Sequence, residues 1–224
     1  MARQQQDKLS EDSAAGAKKR GAYRASQKRE MTKAFKQDAL ESAAWKVFST
    51  LGFDAATIRD IVSVSTVSPG SFYNYYKTKD VIFDLLLIKI IQRVRSAILQ
   101  SRNETDKLEE MLVRSHNAVL RELLSISGAP RFFELNQHHV RARLFSMPET
   151  SEMLDDLKKK LIQTVSMQHI SPDRMNFIAS TVLTTGLEAL LYISHNPLMD
   201  IQDVADLSAK MSAASIRAAS ARGA

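Results

Sequence analysis

Residues 57–79, TIRDIVSVSTVSPGSFYNYYKTK, predict two short helices joined by a tight turn. Thr57 can cap the first helix, and Asp60 can accept a hydrogen bond from the Thr57 backbone N–H, which would complete a capping box. Ser68 can cap the second helix. Pro69 suits the first position of that helix, because an N–H there would have no partner inside the helix. We therefore expect a helical hairpin.

The second helix of this hairpin divides into an inner and an outer face. Phe72 and Tyr76 lie four residues apart and are expected to face the core. The opposite stripe carries residue types that suit close approach to a nucleic acid: glycine admits backbone, asparagine can pair with a base edge, and tyrosine hydroxyls can reach phosphates. The stripe consists of Gly70, Tyr73, Asn74 and Lys77. An ordinary hairpin with a solvated outer face is the alternative.

A longer run, from Lys33 to Leu86, resembles the DNA-binding domain of the TetR (tetracycline-repressor-like) family. The matching features are a first helix that ends in LGF, a threonine-capped second helix, the recognition sequence VSPGSFYNYY, and a fourth helix that opens with KTKD. Two residues depart from the family pattern. Thr66 stands where glycine is usual in the turn, and Tyr76 stands where phenylalanine is usual. A β-branched residue at positive φ would be strained, so the turn could be built differently here.

The resemblance implies that the second helix of the hairpin is a recognition helix for DNA. We expect phosphate contacts from Thr57, Ser71, Tyr73, Tyr75 and Lys79. Lys79 is the phosphate candidate that the family pattern matches. The base-proximal candidates are Pro69, Gly70 and Asn74, and Ser68 completes the predicted DNA-binding set. Replacement of Lys79 by alanine should then weaken binding to all DNA alike, whereas Asn74→Ala should change the sequence preference.

The excess positive charge of the chain lies at its N-terminal end. The net charge is +6; residues 1–36 hold ten Lys or Arg and four Asp or Glu, whereas the rest of the chain holds twenty-one of each. A basic cluster between Lys18 and Arg29 could lie along DNA or enter a minor groove. A solubilising tail is the alternative. Because residues 1–30 carry few large apolar side chains, we expect a disordered basic arm there.

The composition argues against several other classes of protein. Without cysteine the chain can form no disulfide, no thiolate metal site and no cysteine nucleophile. No stretch approaches 18 consecutive apolar residues, and the N-terminus is charged, so neither a membrane span nor an export signal is expected. We predict a cytoplasmic protein with no membrane partner.

Apolar periodicity and the placement of prolines predict an all-α fold of about nine helices. Gly52 should end the first helix, and the fourth, from Val81, is apolar most of the way round, which indicates contact with both halves of the molecule. Prolines fall at the seams between the later helices. We place those helices at 106–126, 131–145, 149–167, 172–195 and 201–219.

The predicted domain organisation has three parts. Residues 1–30 form the basic arm, and residues 31–80 form a helix-turn-helix DNA-binding domain. Residues 81–224 form a larger helical domain for effector binding and dimerisation, as the resemblance implies.

The segment RFFELNQHHVRARLF, residues 131–145, combines an apolar stripe with two amides. Asn136 and Gln137 lie on the same stripe as Phe133 and Val140. Buried amides need partners, so these two either bond to neighbouring backbone or line a cavity that binds a small molecule. The candidate ligand-binding residues are Phe133, Asn136, Gln137 and Val140.

The sequence predicts no catalytic residue, no metal site and no cofactor. His138 and His139 are adjacent and point to different faces of a helix, which makes them poor joint ligands for a metal ion. His116, His169 and His195 show no ligand spacing either. No GxSxG, HExxH or glycine-rich phosphate loop occurs, so we expect that the protein is not an enzyme.

The last two helices are rich in small residues, which let helices approach closely. In the TetR family these helices form a four-helix bundle with their symmetry mates, so the resemblance implies a homodimer; a close-packed core within one chain is the alternative.

The leading hypothesis is a homodimeric regulator of transcription, most often a repressor, that binds a palindromic operator and responds to a small-molecule effector. The rival is an all-α small-molecule binding or carrier module without specific DNA binding.

Overall fold

The computed structural model describes residues 2–103, 107–165, 167 and 170–221, and for residues 2–28 and 221 it describes the backbone alone. Within these residues the chain forms nine α-helices and no strand, which confirms the predicted all-α fold. The helices are α1 (Ala2–Ala55), α2 (Ile58–Ser65), α3 (Pro69–Tyr75), α4 (Lys79–Ser101), α5 (Leu108–Ser125), α6 (Ala129–Leu144), α7 (Pro148–Val165), α8 (Pro172–His195) and α9 (Ile201–Ala221).

The first helix begins much earlier than the sequence suggested. Its backbone is helical from Ala2, where a disordered arm was expected up to residue 30. The residues of this segment are mostly Ala, Gln, Lys, Arg and Glu, which have high helix propensity. A low content of large apolar residues therefore did not exclude a helical backbone. The basic side chains from Lys18 to Lys28 lie outside the described residues, so their contact with DNA stays a prediction.

Gly52 interrupts α1, as the sequence predicted. Its backbone has φ 77° and ψ 165°, a conformation that is essentially restricted to glycine. A Cβ at this position would also lie 3.5 Å from the carbonyl oxygen of Leu135 in α6. The interruption therefore turns the end of α1 and lets α6 pack against it.

The fourth helix links the two halves of the molecule, as its sequence indicated. Phe83 at its start packs edge-on against Phe48 of α1, with ring centroids 5.2 Å apart. Further along, α4 contacts α5, α6 and α7. One hydrophobic cluster runs from Leu40 in α1 through these helices to Leu190 in α8. The predicted boundary at residues 80 and 81 thus crosses a shared core, and the division into domains stays a prediction.

The small residues of α9 face the interior of their own chain, where α9 packs against α5. The structure therefore has the close-packed core within one chain that was the alternative for these residues. The buried side chains are Ala205, Ser208, Ala209, Ser212 and Ala213. The opposite face of α9 is different, because Leu207 and Met211 are each 60% exposed there.

Among the described residues, α8 is the one helix that is long and apolar enough to cross a membrane by length and composition. Part of its apolar surface lies in the protein core, where Ala179 and Leu190 are fully buried. A core helix has the same composition, so α8 is accounted for by its packing against α5, α6, α7 and α9.

Candidate nucleic-acid interface and internal cavity

The hairpin of α2 and α3 is held by the capping contacts that its sequence predicted. The backbone N–H of Thr57 donates to Asp60 Oδ2 at 2.9 Å, and the N–H of Asp60 donates to Thr57 Oγ1 at 3.2 Å. The hydroxyl of Thr57 also donates to Asp60 Oδ2 at 2.5 Å, and this bond, together with the one from the Thr57 backbone N–H, holds the pKa of the Asp60 carboxyl below its ordinary value. Thr57 itself is exposed at the start of α2, where a phosphate could approach it.

The turn between α2 and α3 keeps a left-handed residue although it lacks glycine. Thr66 ends α2 with φ 59° and ψ 10°, and it is the one non-glycine residue with positive φ in the described part of the chain. The turn is therefore not built differently here, although the strain on a β-branched residue had made that an open alternative. The geometry is retained, and the strain of a β-branched residue in this conformation is retained with it.

We expect Thr66→Gly to raise the free energy of unfolding by up to about 1.5 kcal/mol. Relief of left-handed strain is worth roughly 1–2 kcal/mol, from which the greater freedom of glycine in the unfolded chain subtracts roughly 0.4–1 kcal/mol. Urea denaturation followed by circular dichroism measures the change. Thr66→Ala is the control, since alanine keeps a Cβ at positive φ and should gain little. A glycine variant no more stable than the threonine protein would contradict the strain.

The second helix presents the predicted outer stripe. Phe72 and Tyr76 are buried, whereas Gly70, Tyr73, Asn74 and Lys77 are exposed. No atom lies within 4 Å of where a Cβ on Gly70 would stand, so the backbone is open to a close approach there. Pro69 and Ser68 are also exposed, and Ser71 and Tyr75 are partly buried beside the stripe.

Two side chains of this hairpin differ in detail from expectation. Ser68 occupies the N-cap of α3, but its hydroxyl pairs with that of Ser71 at 2.9 Å and makes no capping bond to the backbone. Tyr76, which replaces the usual phenylalanine, donates from its hydroxyl to Glu41 Oε1 of α1 at 2.9 Å. Burial and this bond raise the pKa of the Tyr76 hydroxyl. The extra oxygen therefore ties α3 to α1.

Lys79 has a structural role that sequence reasoning missed. Its ammonium group donates to the carbonyl oxygens of Phe53 at 2.8 Å and Ala56 at 3.0 Å, with a longer contact of 3.4 Å to that of Asp54. It also lies 4.5 Å from the ring centroid of Phe53. These acceptors match its three N–H donors, so a phosphate contact through Lys79 would displace one of them. A phosphate contact by Lys79 stays a prediction, and it would require the loss of one of these hydrogen bonds.

A cavity lies between α4, α5, α6, α7 and α8, and the centres of water-sized molecules can occupy about 120 Å³ of it. Phe133 and Val140, two of the four predicted ligand-binding residues, line it. Most of the remaining wall consists of leucine, isoleucine and valine side chains from all five helices. The polar residues of the lining, as far as the structure describes it, are Arg102, Ser115 and His116.

The structure corrects the placement of the other two predicted ligand-binding residues. Asn136 is fully buried between α6 and α1, where its Oδ1 accepts from the N–H of Phe53 at 2.6 Å and its Nδ2 donates to the carbonyl of Phe48 at 3.0 Å. These backbone groups lack helical partners because Gly52 breaks α1, and the amide replaces those partners. Gln137 is exposed and faces away from the cavity lining. The backbone-bonded alternative thus holds for Asn136.

After Asn136 along the chain, α6 makes polar contacts with the end of α1 and the start of α4. His139 Nε2 lies 2.8 Å from Asp54 Oδ1 at the end of α1, and this hydrogen bond holds the pKa of the Asp54 carboxyl below its ordinary value. Arg143 pairs with Asp80 at 2.7 Å and with Asp84 at 2.9 Å, both in the first turns of α4. Sequence reasoning missed this cluster because the acidic partners lie 59 to 85 residues away along the chain.

Within the residues that the structure describes, no group of three or more His, Asp or Glu side chains is placed to hold a metal ion. The rings of His138 and His139 are 5.6 Å apart at 76° to each other, as expected for adjacent helical residues. His116 is buried, with its Nε2 3.4 Å from the hydroxyl of Ser212. His169 lies outside the described residues.

Comparison with known proteins places the hairpin in a family. Residues 40–86 match the family model described as bacterial regulatory proteins, tetR family. Over 182 residues the chain is 26% identical to an uncharacterised HTH-type transcriptional regulator, YdgC, of Bacillus subtilis strain 168. That alignment covers 77% of this chain and 86% of the relative.

The whole fold also matches solved structures. The fatty acid degradation regulator FadR from Bacillus halodurans aligns with a TM-score of 0.59 at 17% identity, covering 79% of this chain and 94% of that one. The TetR family transcriptional regulator PfmR from Thermus thermophilus aligns with a TM-score of 0.60 at 18% identity, covering 78% and 96%. At these identities the likeness concerns the fold, whereas residues 40–86 carry the sequence signature. These findings support the resemblance of the chain to the TetR family of bacterial transcriptional regulators.

Proposed function

We propose that the protein is a homodimeric, ligand-responsive regulator, acting as a repressor in the cytoplasm, that binds a roughly palindromic operator through α3. In this proposal residues 31–80 bind DNA, and residues 81–224 bind the effector and dimerise. The observation that carries it is the outer stripe of α3, where Gly70, Tyr73 and Asn74 are exposed on a helix whose other face is anchored by Phe72. A helix of this kind fits the major groove of B-DNA.

Some residues around this stripe suit contacts to bases, and others suit contacts to phosphates. Asn74 can pair with a base edge, and Gly70 lets the backbone of α3 approach closely. Thr57, Ser71, Tyr73 and Tyr75 supply hydroxyls for phosphates, which fix the register of the helix on the duplex. Pro69 and Ser68 lie at the N-terminal end of α3, the end that usually points to the bases in helix-turn-helix proteins.

Dimerisation is supported by the outward faces of α8 and α9. On α9, Leu207, Met211, Ala214 and Ala218 follow one another at helical spacing and are all exposed. On α8, Phe177 and Tyr192 are 76% and 52% exposed. Large apolar side chains at such exposure on two packed helices fit a second copy of the chain. A two-fold dimer would set two α3 helices about 34 Å apart, which requires a palindromic site.

Ligand response is supported by the two faces of α6. Phe133, Val140 and Leu144 line the cavity, whereas Asn136, His139 and Arg143 hold α1 and the start of α4. Suppose that a ligand binds the cavity more tightly when α6 is in one position than when it is in another. Binding would then favour that position of α6, and the end of α1 and the start of α4, which α6 holds, would move with it. The effect on DNA affinity is limited to the difference in ligand affinity between the two positions.

The test of DNA recognition compares Asn74→Ala with Lys77→Ala in fluorescence-anisotropy titrations on a selected operator, its single-base variants and unrelated duplexes. Asn74→Ala should relax discrimination at one position of each half-site by roughly 1–3 kcal/mol. Lys77→Ala is the matched control on the same stripe, and it should weaken binding to every duplex and reduce the salt slope by about 1. If Asn74→Ala leaves every base preference unchanged, the assignment of Asn74 is wrong.

The rival, a carrier module, is separated from a regulator by the same titrations. A regulator gives log K that falls steeply with log salt and prefers one sequence, whereas a carrier gives neither. The exposed stripe on α3 favours the regulator, because an asparagine, a tyrosine and an exposed glycine on one outer face serve DNA binding and are not required for the function of a carrier.

A further inference from the structure

The polar residues of the cavity are gathered at one end. Arg102 follows the last turn of α4, and Ser115 and His116 lie on the facing side of α5. Arg102 Nε donates to Ser115 Oγ at 3.0 Å, which aims the guanidinium along the cavity wall. The other described residues of the lining have apolar side chains, and Gly186 has no side chain. The cavity therefore has a long hydrocarbon part and a short polar end.

Within the described part of the chain, no carboxylate forms an ion pair with the guanidinium of Arg102. Burial lowers its pKa, although an arginine remains protonated at neutral pH. Among the described residues no carboxylate lies within ion-pair distance of Arg102, and the acid that acts on it from further away, Asp156, is paired with Arg95 at 2.7 Å. Four of its five N–H donors make no bond within that part of the chain. A partly buried cation in this state favours an anionic ligand.

The second ionisable group at this end adds no charge. Burial lowers the pKa of His116 to about 4, so its imidazole is neutral at pH 7. It can donate or accept a hydrogen bond, and its Nε2 already faces Ser212. Of the described residues that line the cavity, only Arg102 is thus positively charged, and the polar end matches a ligand with one anionic group.

The cavity is also long. Its wall follows α4 from Leu87 through Ile90, Ile91, Val94 and Ile98 to Arg102. The sixteen residues from Leu87 to Arg102 are separated by fifteen steps of about 1.5 Å each, which gives a span of roughly 22 Å. An extended chain of sixteen carbons spans roughly 19 Å, given C–C bonds of about 1.5 Å at near-tetrahedral angles. The apolar wall therefore suits one unbranched hydrocarbon chain better than a compact polycyclic molecule.

We propose that the cavity binds a long-chain carboxylate, with its hydrocarbon chain along α4 and its carboxylate paired with the Arg102 guanidinium. This inference rests on the proposed ligand response and names the chemical class of the effector. The carboxylate would take the fork of N–H donors that the protein leaves unpaired, and Ser115 would hold the guanidinium in place. Hydrocarbon burial supplies affinity, and the ion pair selects an acid over a neutral lipid.

Isothermal titration calorimetry of the full chain with dodecanoate and with 1-dodecanol, each below its aggregation limit, tests this pairing. The protein should bind the acid at least tenfold more tightly than the alcohol. Arg102→Met should remove that preference while it leaves the affinity for the alcohol within about threefold. Arg102→Lys should restore part of it. Arg121→Met, an exposed arginine on α5, is the matched control and should behave as the wild type.

Equal binding of acid and alcohol by the wild type, or an acid preference that survives in Arg102→Met, would overturn the inference. So would tighter binding of dodecanoyl-coenzyme A than of dodecanoate that does not depend on Arg102. DNA binding by the same variants separates this inference from the regulator proposal, because Arg102 is remote from α3. Sequence-specific DNA binding without any dodecanoate binding overturns only the inference. Arginine-dependent dodecanoate binding without sequence-specific DNA binding overturns only the regulator proposal.

Discussion

Asn136→Ala should lower the free energy of unfolding by roughly 2–4 kcal/mol, although it removes only one small side chain. The amide of Asn136 is fully buried and joins α6 to α1 through Phe53 and Phe48. Its loss leaves the N–H of Phe53 without an acceptor beside the break at Gly52. An unpaired buried group costs much more than the net gain from one hydrogen bond. Urea denaturation followed by circular dichroism gives the difference directly.

Gln137→Ala is the matched control, since the two amides are neighbours on α6. Gln137 is exposed, and its one contact is a long bond of 3.5 Å to the carbonyl of Glu134. Its loss should change the free energy of unfolding by less than about 0.5 kcal/mol. If both variants were equally stable, Asn136 would not be the joint between α6 and α1. Its original assignment to ligand binding would then need to be considered again.

The double variant Leu207→Glu, Met211→Glu should be monomeric and should bind an operator roughly 10²–10⁴-fold more weakly than the wild type. Both side chains are 60% exposed on α9, so glutamates there can remain hydrated in a monomer and leave its fold intact. In a dimer they would be buried against their own counterparts, where unpaired like charges are strongly unfavourable. Without dimerisation the second half-site no longer adds to affinity. Light scattering coupled to size-exclusion chromatography measures the mass, and anisotropy measures the affinity.

Leu99→Glu is the control for this pair, because Leu99 is a comparably exposed apolar residue, 47%, on α4. It should leave the protein dimeric and its operator affinity unchanged. A double variant that remains dimeric would rule out the outward face of α9 as the interface. A double variant that loses its helical circular dichroism signal would place these residues in the monomer core, contrary to their exposure.

The helix-turn-helix could be predicted in detail because its signals are local. The capping box of Thr57 and Asp60, proline at the first position of α3, and the four-residue spacing of Phe72 and Tyr76 each act over a few residues. The later helix boundaries were predicted to within about three residues for a similar reason, since prolines stand at their ends. Local chemistry thus determined nearly all of the secondary structure from α2 onwards.

The roles of polar side chains could not be predicted in the same way, because they depend on partners that are distant along the chain. Lys79 matched a phosphate-binding pattern, but three carbonyls at the end of α1 surround its ammonium group. Asn136 lay on an apolar stripe, which fits a pocket amide and a buried bridge equally well. In the sequence, Arg102 directly follows the long apolar helix α4, and this position indicates only the end of a helix. Only the folded chain brings Ser115 and an apolar cavity to it.

Thr66 is a third case: the rule that a β-branched residue is strained at positive φ holds, but the turn does not take a different geometry because of it. Threonine is strained at positive φ, and the structure nevertheless holds it at φ 59°. The packing of Phe72 and Tyr76 below α3 and the cap at Thr57 determine the path of the turn, so one strained residue does not redirect it.

The most direct measurement is selection of bound duplexes from a random DNA pool by the purified protein, followed by sequencing. We predict an inverted repeat whose half-site centres lie about one helical turn, roughly 34 Å, apart or a multiple of it. The preferred base at one position in each half-site should change when Asn74→Ala is used in the same selection. Bound duplexes without a common sequence, or identical motifs from both proteins, would contradict recognition by the outer stripe of α3.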